Sequence, residues 1–283
     1  MRILIVGCGY VGQQVAAELA DRGHQVVGWV SSEDGARGVV EAGAEVVIGD
    51  ATEARSWQGM KRGWDAVVFT ASTSGGDEEK YQRIHGRALG FGLEAAEGRP
   101  FVYTSSTSVY GQRDGSWVNE ESETVPEAAT SRVLVGAERA VLGQGGVVLR
   151  LGGIYGPGRL VYYRRLREGT AVVSEEGGRW VNQVHRDDAA GAVVWALEQG
   201  RSGEVFNVVD DEPVRLGDLY RWLCGVTGLP LPQVGREAGP GKRGRTNKRV
   251  SNARIASAGW RPRWRTFREG YGRLLSVEGE AGR

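Results

Sequence analysis

Ile3-Leu4-Ile5-Val6-Gly7-Cys8-Gly9-Tyr10-Val11-Gly12 runs from four apolar residues into three glycines spaced G-x-G-x-x-G, and a helix-forming stretch follows from Gln13 to Arg22. Strand, glycine turn and helix, in that order, let a backbone hold a pyrophosphate. The first glycine makes the tight turn, the second lets the main chain come close to phosphates, and the third lets helix and strand pack with no side chain between them. The N–H groups of the helix's first turn then face the anion, where the helix dipole favours negative charge. Glycine supplies 45 of 283 residues, so the spacing alone carries little; its place between a first strand and a helix carries the prediction. Gly7, Gly9, Tyr10, Val11 and Gly12 are the candidate contacts to a dinucleotide.

Beyond this unit, strand and helix signals keep alternating. Gln25–Val30, Glu45–Ile48, Ala66–Thr70, Phe101–Thr104 and Val147–Leu149 read as strands. Helices are expected over about 77–97 and 131–142. Strands this apolar imply a parallel sheet covered by helices on both faces, with ligands at the carboxyl ends of the strands. From Leu151 the pattern changes to a glycine loop, a short basic helix near Tyr162–Arg167, and a helix capped by Asp187 or Asp188. A strand at Val205–Val208 and helices near 216–226 and 267–275 follow, with a loop at Gly235–Gly244. The expected organisation is a dinucleotide-binding domain over 1–151, with returning segments about 180–208. A small substrate lobe takes 152–179 and 209–283.

Bulk composition narrows the function classes. Hydrophobic residues make 40% and charged residues 25%, ordinary for a globular chain, and the net charge of +1 gives no reason to expect nucleic acid. The local exception is the basic stretch Lys242–Arg249, readable as a solvated loop or as a grip on a phosphorylated substrate. Cys8 and Cys224 lie far apart and only three histidines are present, so no metal site is expected. No apolar run approaches membrane-spanning length and no leader is read, so the expectation is a cytoplasmic protein with no membrane partner.

Taken together, several segments resemble the extended and atypical short-chain dehydrogenase/reductases, the NAD-dependent epimerase/dehydratase family. They are Val6–Gly12, Gly49-Asp50, Tyr103–Gly111, Leu149–Arg159, Asn182–Asp188 and Phe206–Pro213. The resemblance implies a Rossmann-type doubly wound parallel sheet with a small C-terminal lobe. It also implies that Asp50 accepts a hydrogen bond from the adenine amino group, and that Ala71 and Ser72 line the pyrophosphate and ribose. Ser106 matches the family's active-site serine or threonine, whose hydroxyl hydrogen-bonds a substrate carbonyl or alcohol. Oligomeric state is not read from the chain; only the resemblance points to a homodimer.

One departure stands out. The family uses a tyrosine and a lysine four residues later as its proton-transfer pair. Counting back from Glu138, those positions hold Thr130 and Leu134, and no tyrosine here has a lysine four residues on. Three readings follow: an oxidoreductase or epimerase using another acid, with Tyr155, Tyr110 or His185 as candidates; a dinucleotide-binding sensor without turnover; or a substrate that supplies its own acid or base. Tyr155 has Arg159 four residues on, but Gly156-Pro157-Gly158 bars a helix there.

The cofactor reading rests on the end of the second strand, where NAD sites usually place a carboxylate. Here Ser31 and Ser32 stand at the turn and Glu33 comes later, so two hydroxyls, with Arg37 in reach, favour NADP, with NAD as the other possibility. The substrate is expected to be a small carbonyl, polyol or sugar-type molecule. Arg159, Asn182, Arg245 and Arg249 are its candidate polar contacts.

Overall fold

The strand β1 (Arg2–Val6) has four consecutive fully buried side chains, because sheet neighbours flank it on both sides and helices cover both faces. The structure, a computed structural model, describes residues 1–60, 63–73, 75–199, 202–235 and 246–281, the side chains of 277–281 excepted. It divides into two compact units. The first comprises Met1–Val109, Val125–Arg150 and Ala189–Phe206, and the second Tyr110–Thr124, Leu151–Asp188 and Asn207–Arg283.

The first unit is built on β1, β2 (Gln25–Val30), β3 (Glu45–Ile48), β4 (Ala66–Phe69) and β5 (Phe101–Ser106). Their pairings are all parallel: β1 with β2 and β4, β2 with β3, and β4 with β5. With β7 (Val147–Leu151) and β12 (Val205–Val208) the seven-stranded order is β12-β7-β5-β4-β1-β2-β3. Strand order therefore reverses between β1 and β4, where such sheets open a crevice at their carboxyl edge. Helix α1 (Tyr10–Asp21) buries Val11, Gly12, Val15, Ala16 and Leu19, a single stripe at helical spacing. It ends before Gly23, whose φ of +79° supplies the left-handed residue of the stop. Helix α2 (Glu33–Glu41), which has no long apolar stripe and is not expected from sequence, buries only Val39.

The expected 77–97 helix is interrupted. It consists of α3 (Glu78–Tyr81), a π-helical segment (Gln82–Ala88) and α4 (Leu89–Ala96). The widened turn contains His85, which is buried with its Nδ1 2.9 Å from the Tyr103 hydroxyl. Burial pushes His85 down to about 4, so it is a neutral packing residue. Helices α5 (Ala129–Gly143) and α7 (Arg186–Gln199) complete the cover. In the core, Trp29 and Trp57 meet at 4.5 Å between centroids, and their indole N–H groups donate to Gly49 O and Ala51 O.

The second unit is a set of small ladders around an aromatic core. Strand β6 (Trp117–Val118) pairs with β15 (Arg249–Val250), and β8 (Gly153–Tyr155) with β11 (Gln183–His185). The other two ladders join β9 (Val172–Val173) to β14 (Gln233–Val234), and β10 (Trp180–Val181) to β13 (Val214–Arg215). Helices α6 (Val161–Arg167), α8 (Leu216–Thr227), α9 (Ala253–Ser257) and α10 (Phe267–Ala281) pack with them. Two boundaries differ from the sequence reading. Residues 110–124 group with the second unit through the β6–β15 ladder, and only Ala189–Phe206 returns to the first, because Gln183–His185 pairs with β8. The expected loop at Gly235–Gly244 lies, apart from Gly235, outside the described residues.

Candidate functional site

The glycine turn is shaped by contacts that leave no room for side chains. Gly7 has φ +79°, and a Cβ on it would lie 2.2 Å from Ala71 Cα, so the β1 and β4 ends meet backbone to backbone. A Cβ on Gly12 would lie 2.8 Å from the Thr70 hydroxyl, which itself donates to Gly7 O at 3.0 Å. Gly7 N and Cys8 N both donate to Trp29 O, at 3.0 and 2.8 Å, and Gly9 N donates to Gly7 O at 2.7 Å. Gly9 is different: it is exposed, and the nearest atom to an added Cβ would be Gly7 O at 3.9 Å. It stands at the N-cap of α1 with no side-chain cap, and no acidic residue occupies the first turn.

This is the arrangement an anion needs at a helix N-terminus. The turn thus gathers Gly7, Gly9, Gly12 and Ala71, with half-buried Tyr10 and buried Val11 in the first turn and Ser72 exposed beside Ala71. Cys8 is buried and its thiol is pushed up to about 12 by burial, so it is inert filling against Gly28.

The second strand ends less openly. Ser32 caps α2, its hydroxyl accepting from Gly35 N at 3.4 Å, and Glu33 and Asp34 occupy the helix's first turn. Ser31 is exposed and Arg37 lies on the same helix, also exposed. Asp50 forms its own turn: Oδ1 accepts from Thr52 N at 2.8 Å, and Arg83 reaches Oδ2 at 3.3 Å and the Thr52 hydroxyl at 3.0 Å. Desolvation raises its carboxyl, but the Thr52 hydrogen bonds and the Arg83 charge outweigh it and hold it below its ordinary value.

At the end of β5 the chain gathers hydroxyls. Alternation along the strand buries Tyr103 and Ser105 on one face and leaves Thr104 and Ser106 half-buried on the other. Ser106 Oγ accepts from Ser108 N at 3.2 Å, so its own hydrogen remains for another acceptor. Ser131, in the first turns of α5, donates to the Ser108 hydroxyl at 3.2 Å. Ser108 and Ser131 are therefore neighbours that sequence reading did not single out; the hydroxyl run Ser105–Ser108 was their only signal.

Thr130 and Leu134, in the places of the tyrosine–lysine pair, are both buried. Glu138 is also buried, holding Ser105 Oγ at 2.6 Å and Arg150 at 2.7 Å. Its role is an interior ion pair.

Tyr155 and His185 come together in the second unit, but as core. Their rings meet edge to face at 5.3 Å and Tyr155 stacks on Tyr271 at 4.7 Å. Both are at most 3% exposed. Burial, then the Asp210 charge, raises the Tyr155 phenol far above its ordinary value. The His185 imidazole is lowered by burial, and its Nδ1 accepts from Asp187 N at 3.2 Å. Such groups do not exchange protons readily with a ligand, so the expected acid role fails on burial for both. Tyr110 is likewise buried, donating to Asn207 Oδ1 at 2.8 Å.

The expected polar contacts divide. Asn182 ties backbone, donating to Lys248 O at 3.0 Å and accepting from Val250 N at 2.7 Å. Arg249 donates to Gly115 O at 2.8 Å and lies 5.1 Å from the ring centroids of both Trp117 and Trp180. These residues serve the lobe's own structure. Arg159 is half-buried, and Lys242–Arg245 lie outside the described residues. Among the described residues no cluster of His, Cys, Asp or Glu could hold a metal, and no helix is long and apolar enough to cross a membrane.

The reversed strand order and the glycine turn beside it define a Rossmann-type α/β protein. More narrowly, the chain belongs to the NAD dependent epimerase/dehydratase family, whose model matches residues 3–209. It is 28% identical over 269 residues to Protein YeeZ of Escherichia coli K12, covering 90% of this chain and 93% of YeeZ. It is 30% identical over 279 residues to a 3 beta-hydroxysteroid dehydrogenase/Delta 5-->4-isomerase of Mycobacterium tuberculosis, covering 86% of this chain and 73% of that protein. A solved structure of a functionally unknown conserved protein from Silicibacter pomeroyi matches with TM-score 0.80 at 28% identity, covering 98% of both chains.

Proposed function

We propose that this protein is an NAD(P)-dependent oxidoreductase or epimerase-like enzyme of the atypical short-chain type, acting on a small carbonyl, polyol or sugar-type substrate. The observation that carries the proposal is the uncapped, carboxylate-free N-terminus of α1 at Gly9, beside the close contact of Gly7 with Ala71. Bound there, the dinucleotide supplies hydride chemistry at its nicotinamide. The chain's own part is to hold the pyrophosphate at the N-terminus of α1, where the glycine turn lets it approach, and to accept the adenine amino group at Asp50, with Ala71 and Ser72 alongside. Ser106 orients the reacting oxygen by donating its hydroxyl hydrogen, and Ser108 and Ser131 fix where that hydroxyl sits.

At the ribose end two influences oppose. The exposed Ser31 and Ser32 hydroxyls and Arg37 favour NADP, while Glu33 and Asp34 repel a 2′-phosphate. The expected outcome is a preference for NADPH of less than about tenfold over NADH, under about 1.4 kcal/mol. A fluorescence titration with NADPH, NADP, NADH and NAD checks it, followed by a carbonyl-substrate screen. Failure of all four to bind would remove the enzyme reading.

A second reading, a dinucleotide sensor without turnover, is favoured by the buried Thr130 and Leu134 in place of the acid–base pair. Binding with no turnover across the screen would select it.

Two further properties complete the proposal. A homodimer is supported by a groove of about 280 Å³ whose lining includes Gly86 and Gly90 on one helical segment and Gly136 and Ala140 on α5, small enough for helices of a second copy to approach. Sedimentation velocity tests this, and a monomer at micromolar concentration would refute it. Both cysteines are free thiols, which supports a reducing, cytoplasmic setting; fractionation of the producing cell checks it.

A further inference from the structure

The π-helical segment Gln82–Ala88 sends two polar side chains to different places. His85 goes inward, with its Nδ1 2.9 Å from the Tyr103 hydroxyl and its ring 5.3 Å from that of Tyr81. Arg83 is exposed and reaches the turn that follows β3. Widened turns of this kind are rare and often mark functional sites. The buried His85 anchors the segment in the core, so Arg83 extends from a fixed base two residues away.

Arg83 Nη2 donates to Asp50 Oδ2 at 3.3 Å and to the Thr52 hydroxyl at 3.0 Å. Thr52 is 2% exposed, and its N–H donates to Asp50 Oδ1 at 2.8 Å. The carboxylate is therefore held through both oxygens, by neighbouring backbone on one side and by a distant helical segment on the other. A carboxylate accepts about four hydrogen bonds, so these two leave room for a further donor. The Arg83 and Asp50 side chains are 52% and 50% exposed, so a ligand can reach them. An ion pair this open to water contributes little to stability. Stability therefore does not account for a carboxylate fixed on two sides; a use for its geometry does.

We propose that Arg83 is a positioning residue for base recognition: it holds the Asp50 carboxylate where it accepts the exocyclic amino group of adenine, so that the site selects adenine over hypoxanthine. Adenine presents a donor at position 6 and an acceptor at N1. Hypoxanthine presents an acceptor at position 6 and a donor at N1. A carboxylate free to swing could follow either pattern, whereas one held through both oxygens meets the hypoxanthine carbonyl with repulsion. That a dinucleotide brings its base to Asp50 rests on the function proposed above; that Arg83 fixes the carboxylate for a purine edge is tested apart from it.

The full chain is titrated with NADH and with reduced nicotinamide hypoxanthine dinucleotide, following nicotinamide fluorescence. Wild type, Arg83→Met and, as control on the same segment, Arg87→Met are compared, with thermal melting of each. Wild type should favour NADH by about fivefold or more. Arg83→Met should weaken NADH by about threefold or more while affinity for the hypoxanthine dinucleotide stays level or rises, so the ratio falls toward one. Arg87→Met should leave the ratio as in wild type. Equal weakening of both dinucleotides by Arg83→Met would assign Arg83 to the ring face or to the fold and overturn positioning. A wild-type ratio of one, an unchanged ratio in Arg83→Met, or an equal fall in Arg87→Met overturns it too. Should Arg83→Met fail to fold, the ratio in Arg83→Gln decides by the same criteria.

If wild type binds neither dinucleotide, the function proposed above falls, and adenosine and inosine monophosphates become the probes. A preference for the adenosine nucleotide that Arg83→Met removes leaves the positioning role standing. No preference, or no binding of either, overturns it as well.

Discussion

Helices α1 and α2 follow consecutive strands and start at the same edge of the sheet, yet their N-termini are finished in opposite ways. Ser32 caps α2 and two carboxylates complement its dipole, so that end is chemically complete. Gly9 leaves α1 without a cap or a first-turn carboxylate. A side-chain cap contributes about 1 kcal/mol, and the fold forgoes it at α1. The start of α1 thus carries no side chain that competes with an external anion, while that of α2 already holds its own cap and two carboxylates. The same glycine turn that weakens the helix locally is what makes it a candidate site.

The contrast can be broken most severely at Gly7. Gly7→Ala meets Ala71 backbone in an unfavourable φ, so it should cost about 1–2 kcal/mol from the dihedral alone, plus the contact, and abolish measurable dinucleotide binding. Thermal melting with a NADPH titration reads both; retained affinity would show that the turn is not the site. Gly9→Asp gives α1 the kind of cap that α2 has. Stability should stay level or rise by a few tenths of a kcal/mol while NADPH affinity falls about tenfold or more. Parallel loss of both would mean that Gly9 serves geometry only.

Smaller effects are expected at α2. Glu33→Gln with Asp34→Asn removes the carboxylates facing a 2′-phosphate and should raise the NADPH-to-NADH affinity ratio about threefold to tenfold. An unchanged ratio places the 2′ end elsewhere. Ser32→Ala should cost about 1 kcal/mol of stability in denaturant unfolding and leave the NADH affinity unaltered. A cap whose only ligand role is toward a 2′-phosphate predicts that separation, and a fall in NADH affinity would contradict it.

Strands of the main sheet were the most legible elements. Gln25–Val30, Glu45–Ile48 and Val205–Val208 run as read, since an apolar run between turn signals has few other ways to be satisfied. The short ladders of the second unit were not legible, because two- and three-residue strands carry no period and exist only through distant partners such as Trp117 with Arg249. The interruption at Gln82–Ala88 also escaped, since helical and π-helical stretches share one composition. At the candidate site the glycines were readable because backbone conformation is written in residue type. The fates of Tyr155 and His185 were not, because a loop motif says nothing about which face of a core will cover it.

What the amino-acid order settled alone was local: where the backbone turns, where a helix can begin, and that no tyrosine–lysine pair stands ahead of Glu138. Tertiary structure decided burial and pairing. It placed Ser131 against Ser108, spent Ser32 on α2, enclosed Tyr155 and His185, and buried Lys248 with its Nζ on Tyr110 O and the Thr246 hydroxyl. The physical reason is range. Turn and helix signals act over a few residues, whereas desolvation and charge depend on segments far apart in the chain that only the fold brings together.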